Sequence, residues 1–302
     1  MNQIKLFIEL TRLKKPIGYM LLFWPCSWGL TLAYDFSGNL NNYFFYLLLF
    51  FLGAVLMRSA GCIVNDILDK EFDKKVFRTK NRPIASGKIS TKIAFTYASI
   101  LCLLALLVLL NFNQFTIILA LIVLLNFNQF TIILALGSMP LAFTYPLMKR
   151  FTYWPQLFLG ITFNYGLILG WTAIKGQIDV MPIIIYFGAI FWTLGYDTIY
   201  GYQDIKDDEI IGLKSTSIKF KKNPYTFLYI CFSIFILNLL IIGYLMNLNN
   251  LYYLFLSFIT FQTFYFQLKK LKIQNSLSCL NTFKSNNFLG LLVFFTIVIG
   301  KI

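Results

Sequence analysis

The chain has 302 residues, of which 58% are hydrophobic and 13% are charged. A soluble domain carries about 25% charged residues, so this composition excludes a protein that faces water on all sides. The 26 Lys and Arg outnumber the 12 Asp and Glu, giving a net charge of +14, and the chain has no His. The absence of His excludes His-ligated metals, haem held by His and His general bases.

Nine segments have roughly the 20 apolar residues that a helix needs to cross a bilayer. In chain order these predicted spans are Pro16 to Tyr34, Asn42 to Ile63, Ile93 to Leu110, Thr131 to Met148, Pro155 to Ile174, Met181 to Ile199, Pro224 to Met246, Leu251 to Leu268 and Phe288 to Ile302. The sequence therefore predicts an all-α membrane bundle of nine transmembrane helices that forms one domain, residues 1–302.

The positive charges fall on one side of this arrangement. Of the 26 Lys and Arg, 24 lie in the segments 1–15, 58–92, 149–150, 206–222 and 269–284. Because Lys and Arg are retained on the cytoplasmic side, we expect a multi-pass protein of a bacterial inner membrane with a cytoplasmic N-terminus. Topology and attraction to anionic lipid account for the net charge, and no nucleic-acid partner is expected.

A perfect repeat lies between the third and fourth predicted spans. Val108 to Leu121 recurs without mismatch as Val123 to Leu136, an offset of 15 residues. Structural repeats diverge and come in series of three or more, so a perfect pair indicates a recent tandem duplication. The added unit is too short for another crossing, and a sequencing or assembly error is the alternative explanation.

Acidic residues are concentrated in two short segments at predicted cytoplasmic ends of helices. In the first, Asp66, Asp69 and Asp73 lie within about 60° of one another on a helix that turns about 100° per residue. Carboxylates at this spacing repel each other, and more strongly near a low dielectric. A cation is therefore expected among them.

The second acidic segment shows the same kind of spacing. Asp197, Asp204 and Asp208 lie within about 40° of one another on a helix, with Tyr200 beside them. Mg²⁺ binds one or two carboxylates together with phosphate oxygens, whereas zinc, copper and iron favour His or Cys ligands. The two segments therefore predict a site for Mg²⁺ and a diphosphate that opens toward the cytoplasm.

Cations near these segments suit the oxygens of a diphosphate, Arg as a bidentate donor and Lys as a point charge. They are Arg58, Lys74, Lys75, Arg78, Lys80, Arg82, Lys149, Arg150 and Lys214. The alternative is a solvated network of loop charges. That alternative is favoured for Lys74, Lys75, Lys219, Lys221 and Lys222, but not for the six Asp, because loops do not require helical spacing twice.

A diphosphate site that opens into a membrane bundle indicates a lipid-tailed diphosphate as substrate. Loss of diphosphate leaves an allylic, carbocation-like centre, which an electron-rich partner attacks. Aromatic faces stabilise such cations, and Tyr200 is the aromatic candidate because it lies on the acidic face.

Both acidic motifs resemble those of the UbiA superfamily of intramembrane prenyltransferases. The first is Asn65-Asp66-x-x-Asp69-x-x-x-Asp73, and the second is Asp204-x-x-x-Asp208. Other segments resemble the hydroxybenzoate branch: Arg12 to Gly18, Met57 to Cys62, Arg82 to Gly87, Tyr145 to Thr152 and Gly212 to Thr216. The resemblance implies Mg²⁺, a polyprenyl diphosphate donor and prenylation of 4-hydroxybenzoate on the ring carbon ortho to its hydroxyl, in ubiquinone biosynthesis.

The resemblance also implies roles for individual residues. The metal ligands would be Asp66, Asp69 and Asp73 on one side, with Asn65 beside them, and Asp204 and Asp208 on the other. The residues that hold diphosphate would be Lys149 and Arg150, helped by Lys80, Arg82 and Lys214. Asp197 would polarise the acceptor hydroxyl or accept the ring proton. Arg58 would bind the acceptor carboxylate, although pairing with an Asp explains a buried Arg equally well.

Three alternatives stay open at this point. Another member of the superfamily could act on a haem, naphthoate or homogentisate acceptor. A membrane transporter could also carry intramembrane Asp, but its acids should lie near the bilayer midplane. A non-catalytic assembly factor would not need the Asp spacing.

Overall fold

The computed structural model describes residues 3–110 and 129–302, and every regular element in these ranges is helical. The helices are α1 Gln3–Thr11, α2 Ile17–Ala33, α3 Leu40–Leu68, α4 Lys70–Asp73, α5 Thr91–Leu110, α6 Gln129–Thr144, α7 Met148–Phe151, α8 Pro155–Lys175, α9 Val180–Gly201, α10 Ile205–Ile211, α11 Thr216–Lys219, α12 Pro224–Leu245, α13 Asn250–Phe261 and α14 Ser276–Lys301. Most of the predicted duplication at 108–136 lies outside the described residues.

Each of the nine predicted spans overlaps a helix in the described part of the chain, but nine membrane crossings stay a prediction. Seven segments there are long and apolar enough to cross a membrane: α3, α5, Phe130–Phe151, α8, α9, α12 and α14. Helix α2 is apolar but has only 17 residues. Helix α13 continues as a π-helix over Gln262–Leu268.

The last helix is much longer than its predicted span. Helix α14 begins at Ser276, well before Phe288, because the side chain of Asn275 accepts hydrogen bonds from the N–H groups of Leu277 and Ser278. Its 26 residues are enough to cross a bilayer.

Helices α2 and α8 pack with their backbones in close contact. A Cβ on Gly29 would lie 1.9 Å from the carbonyl oxygen of Leu167, and one on Gly170 would lie 2.3 Å from that of Cys26. Only glycine permits this approach. Small residues at helix interfaces are typical of membrane bundles, since close backbones gain van der Waals contact.

Aromatic side chains fill the centre of the largest core. The Trp28 and Trp192 ring centroids are 5.0 Å apart, and Trp192 stacks on Phe235 at 5.8 Å. Both indole N–H groups have acceptors, the Gly290 carbonyl for Trp28 and the Asn286 side chain for Trp192. The core therefore fixes α2, α9, α12 and α14 relative to one another, which positions the helix ends that carry the acidic residues.

Candidate active site

The first acidic segment is not one continuous helix, which corrects the prediction. Helix α3 ends at Leu68 and α4 begins at Lys70, so Asp69 lies at the junction. The Asp69 N–H still donates to the Asn65 carbonyl at 2.9 Å, and the Asp73 N–H to the Asp69 carbonyl at 2.8 Å. Helical spacing therefore survives the junction, and Asp66, Asp69 and Asp73 are all buried.

Two arginines bind the outer carboxylates of this segment. Arg12 donates to Asp66 at 2.5 Å, and Arg82 contacts Asp66 at 3.1 Å and Asp73 at 2.8 Å. Burial raises the pKa of Asp73, and the Arg82 charge opposes that rise only in part. The buried carboxylates of this segment therefore depend on the arginines that pair with them.

Asp69 is held from the segment that follows α6. The Lys149 ammonium donates to Oδ2 of Asp69, while Arg150 donates to the Leu68 carbonyl at 2.7 Å. The second carboxylate oxygen of Asp69, Oδ1, is buried and has no hydrogen-bond partner among the described residues. The Arg150 guanidinium lies 3.8 Å from it, beyond hydrogen-bond range.

The second acidic segment is also broken, again in contrast to the prediction. Helix α9 ends at Gly201, and Asp204 lies in the turn before α10, which carries Asp208. Arg78 donates hydrogen bonds to both carboxylate oxygens of Asp204, with Nε 2.8 Å from Oδ1. It also donates to the Tyr200 hydroxyl at 2.9 Å. Arg78 therefore ties the loop after α4 to the end of α9.

Asp208 is close to charges from both acidic segments. Its burial, and next the Asp204 carboxylate, raise the pKa of Asp208 to about 6, and the Lys149 ammonium works against this rise. Lys149 also pairs with Asp69. Lys149 and the Arg78–Asp204 pair therefore link the two acidic segments.

Arg58 and Asp197 lie deeper in the bundle, on α3 and α9. The Arg58 guanidinium is 5.4 Å from the centre of the Phe163 ring, and its Nε atom is buried without a hydrogen-bond partner. Among the described residues no ion pair includes Arg58, so it is not paired with an Asp. Asp197 interacts with it electrostatically across the interior.

The other predicted site residues are less directly involved. Lys80 is exposed, with its ammonium 4.6 Å from the centre of the Phe77 ring. Lys214 donates to the Phe151 carbonyl at 3.2 Å, so it supports the Lys149 segment without contacting a carboxylate. Asn65 is half-buried on α3 next to Asp66, and the ring of Tyr200 lies 4.6 Å from that of Phe283.

Two of the five lysines that the sequence assigned to a solvated network form exposed ion pairs in the described residues. Lys74 bonds Glu71 at 2.7 Å, and Lys221 pairs with Glu209, all four side chains being at least one-third exposed. Exposed pairs of this kind contribute little to stability.

Two arginines pair with the acidic segments although neither was assigned a role from the sequence alone, where Arg78 was only one of the cations near those segments. Arg12 reaches Asp66 because α1 packs Leu6 and Leu10 against α3, and its backbone adopts the left-handed φ of 57°. Arg78 is one of nine cations in the segment 58–92. Their position at the predicted cytoplasmic side was consistent with a role in the site, but many other Lys and Arg lie on the same side.

The comparisons with known proteins agree with this geometry. Residues 22–295 match the model of the UbiA prenyltransferase family. The chain belongs to this family. Similar proteins include the human mitochondrial 4-hydroxybenzoate polyprenyltransferase, 44% identical over 297 residues, which are 98% of this chain and 75% of the human protein.

Two solved structures of UbiA homologues share the fold. The apo structure of a homologue from Aeropyrum pernix K1 has a TM-score of 0.70 at 21% identity, covering 94% of this chain and 97% of that one. A homologue from Archaeoglobus fulgidus bound to GPP and Mg²⁺ has a TM-score of 0.67 at 17% identity, covering 97% and 99%.

The residues of this UbiA site fit Mg²⁺ in the presence of a diphosphate better than Mg²⁺ alone. Within the described ranges, no group of three or more Asp, Glu or Cys is arranged to hold a metal. Mg²⁺ needs only one or two carboxylates when phosphate oxygens and water complete its shell. The unpartnered Oδ1 of Asp69 is a carboxylate oxygen of this kind, and burial raises the pKa values of Asp73 and Asp208.

Proposed function

We propose that this chain transfers a polyprenyl group from polyprenyl diphosphate to the ring carbon ortho to the hydroxyl of 4-hydroxybenzoate, with Mg²⁺, in ubiquinone biosynthesis. The observation that carries this proposal is the meeting of two Asp-rich segments around Lys149 at the ends of apolar helices. The identity of 44% with the human enzyme over nearly the whole chain supports the choice of acceptor.

Donor binding is assigned to the charged end of the bundle. Asp66, Asp69 and Asp73 would hold one ion and Asp204 and Asp208 a second, with Asn65 as a neutral neighbour. When bound, Mg²⁺ would neutralise the departing diphosphate. The cations now paired with carboxylates, Arg82 and Lys149 with Arg150, would bind its remaining oxygens, with Lys80 and Lys214 nearby.

Two arginines that had no assigned role in the prediction from sequence join this donor site. Arg12 and Arg78 each pair with one acidic segment, so each is within reach of a diphosphate that lies between the segments. Tyr200, held by the Arg78 hydrogen bond, would present its ring to the allylic cation.

Acceptor binding is assigned to the deeper pair. Arg58 has a buried guanidinium nitrogen without a partner and no ion pair in the described residues, as a side chain that awaits an anionic ligand should. A carboxylate such as that of 4-hydroxybenzoate would satisfy it. Asp197, on α9, would then polarise the acceptor hydroxyl or accept the ring proton.

The same proposal includes the arrangement in the membrane. We place nine crossings in a single domain, residues 1–302, with the N-terminus and the site on the cytoplasmic face of a bacterial inner membrane. The human relative is by name mitochondrial, so cell fractionation with tagged protein decides the membrane, and cysteine labelling from each side decides the orientation.

A transfer assay in membranes tests the function. Membranes containing the protein are incubated with 4-hydroxybenzoate, a polyprenyl diphosphate and Mg²⁺, and a prenylated acid is expected. Asp69→Ala should abolish Mg²⁺-dependent transfer, whereas Glu71→Ala, an exposed acid two residues away, should retain it. Retained transfer in Asp69→Ala would refute the metal assignment, and a product only with another acceptor would refute the substrate.

A further inference from the structure

Four charged side chains lie at the end of the bundle remote from the Asp-rich segments. They are Asp35 after α2, Lys175 at the end of α8, Asp179 before α9 and Lys301 at the end of α14. At a rise of 1.5 Å per residue, Asp179 is about 27 Å along α9 from Asp197. The described segments that join helices at this end contain no further Asp, Glu, Lys or Arg.

All four side chains line one cavity of about 760 Å³. That volume is within the range of about 300–1,000 Å³ typical of small-molecule sites. Tyr34, Phe36 and Trp171 form its aromatic wall. The few charged residues at this end of the bundle therefore lie around one cavity, and two of them are positive and two negative. Such a cavity suits a ligand that carries both a positive and a negative charge.

The two carboxylates each keep one oxygen for a ligand. Asp35 accepts from the N–H of Ser37 at 3.0 Å and from its hydroxyl at 2.8 Å, both through Oδ1. Asp179 caps α9 by accepting from the N–H of Val180 at 2.5 Å, also through Oδ1. Within the described residues neither acid forms an ion pair.

The two cations differ in availability. The Lys301 ammonium is occupied by three carbonyl oxygens at the end of α2, those of Thr31 at 3.1 Å, Leu32 at 2.7 Å and Tyr34. Lys175 is exposed and forms no ion pair in the described part of the chain. Lys175 is therefore the cation that an anionic group can reach.

Trp171 provides a second, independent sign of a ligand. It lines the cavity with only 4% of its surface exposed, and its indole N–H has no acceptor among the described residues. Buried donors are nearly always paired in native proteins, so this unpaired N–H at the cavity wall is a candidate donor to a ligand.

We propose that this cavity binds the headgroup of an aminophospholipid, which combines a primary ammonium with a phosphate diester. The ammonium donates to the free oxygens of Asp35 and Asp179 beside the aromatic wall. The phosphate binds Lys175 and accepts from the indole of Trp171. A trimethylammonium headgroup cannot donate hydrogen bonds, and phosphatidylglycerol offers the two carboxylates hydroxyl groups but no cation, so both should bind more weakly.

Thermal unfolding of the purified full-length protein in mixed micelles tests the proposal. Phosphatidylethanolamine should raise the unfolding temperature at about tenfold lower concentration than phosphatidylcholine or phosphatidylglycerol. Free phosphoethanolamine distinguishes a soluble ligand from a lipid headgroup. If it raises the unfolding temperature as much as phosphatidylethanolamine does, the ligand is soluble; if it has no effect, the ligand is the lipid. Equal responses to all three lipids would overturn the proposal.

Variants locate the effect within the molecule. Lys175→Ala should weaken the response to phosphatidylethanolamine by about tenfold, whereas Lys272→Ala, an exposed lysine at the opposite end, should not change it. A full response in both Lys175→Ala and Asp35→Asn would contradict the site. If either variant folds poorly, the order in which the three lipids stabilise the wild-type protein still tests the proposal.

Discussion

Lys149 and Asp69 form an ion pair across 80 residues of sequence, between the segment after α6 and the junction of α3 and α4. Asp69 is 1% exposed, yet the pair satisfies only one of its carboxylate oxygens. The same carboxylate therefore makes a structural contact and, in the proposed donor site, binds the metal ion, so mutation can separate stability from activity.

Lys149→Met should lower the free energy of unfolding by about 3 kcal/mol, because it leaves a buried carboxylate without its cation. Adding Asp69→Asn removes the unpaired charge, so the double variant should recover most of this stability. It should not carry out transfer, because Asp69 is a proposed metal ligand. Thermal unfolding in detergent, run beside the transfer assay, measures both. A double variant as unstable as Lys149→Met alone would show that the ion pair is not the cause.

Arg78→Lys should raise the KM for polyprenyl diphosphate by about tenfold, because Lys cannot grip both oxygens of Asp204 and the Tyr200 hydroxyl at once. Lys80→Ala is the comparison. The Lys80 side chain is exposed and contacts no carboxylate, so its removal should leave KM nearly unchanged. The reverse order of effects would make Lys80, and not Arg78, the cation that the donor depends on.

Arg58→Gln should raise the KM for 4-hydroxybenzoate by about tenfold or more, with the KM for the donor unchanged, since only the acceptor carboxylate loses a charged partner. 4-Hydroxybenzamide serves as the matched substrate because it lacks the negative charge. The wild-type preference for the acid over the amide should disappear in the variant. A preserved preference would place the acceptor carboxylate elsewhere.

Gly29→Ala should destabilise the bundle by about 3 kcal/mol, because the new Cβ would meet the backbone of α8 and the two helices would have to separate. Gly53→Ala makes a matched control on α3, where no atom lies within 4 Å of the added carbon. Its effect should be neutral or slightly stabilising, since Ala favours helix over Gly. Unfolding temperatures of the two variants provide the comparison.

Deleting residues 108–122 leaves one copy of the duplicated sequence and should preserve transfer activity, because the repeat contains no charged or motif residue. The transfer assay in membranes, normalised to the amount of protein, measures this. Lost activity at normal protein levels would mean that the second copy has a function.

Several site residues could be predicted because their signal is local. Asp66, Asp69 and Asp73 stand out as carboxylates at helical spacing in a chain with few acids. The prediction of unbroken helices through both acidic segments was wrong, because Asp69 lies at a junction and Gly201 ends α9. Helical hydrogen bonds across the first junction kept the three carboxylates buried together, so the interpretation survived the error.

The sequence by itself determined the helical membrane class, the apolar segments and the two acidic motifs, since hydrophobicity and spacing along one helix are properties of consecutive residues. Only the tertiary structure decided which cation meets which carboxylate. Arg12, Arg78 and Lys149 reach their partners through packing between distant helices, so nothing in the local sequence separates them from Lys80. The same packing left Arg58 without an ion pair and gathered four remote charges around one cavity.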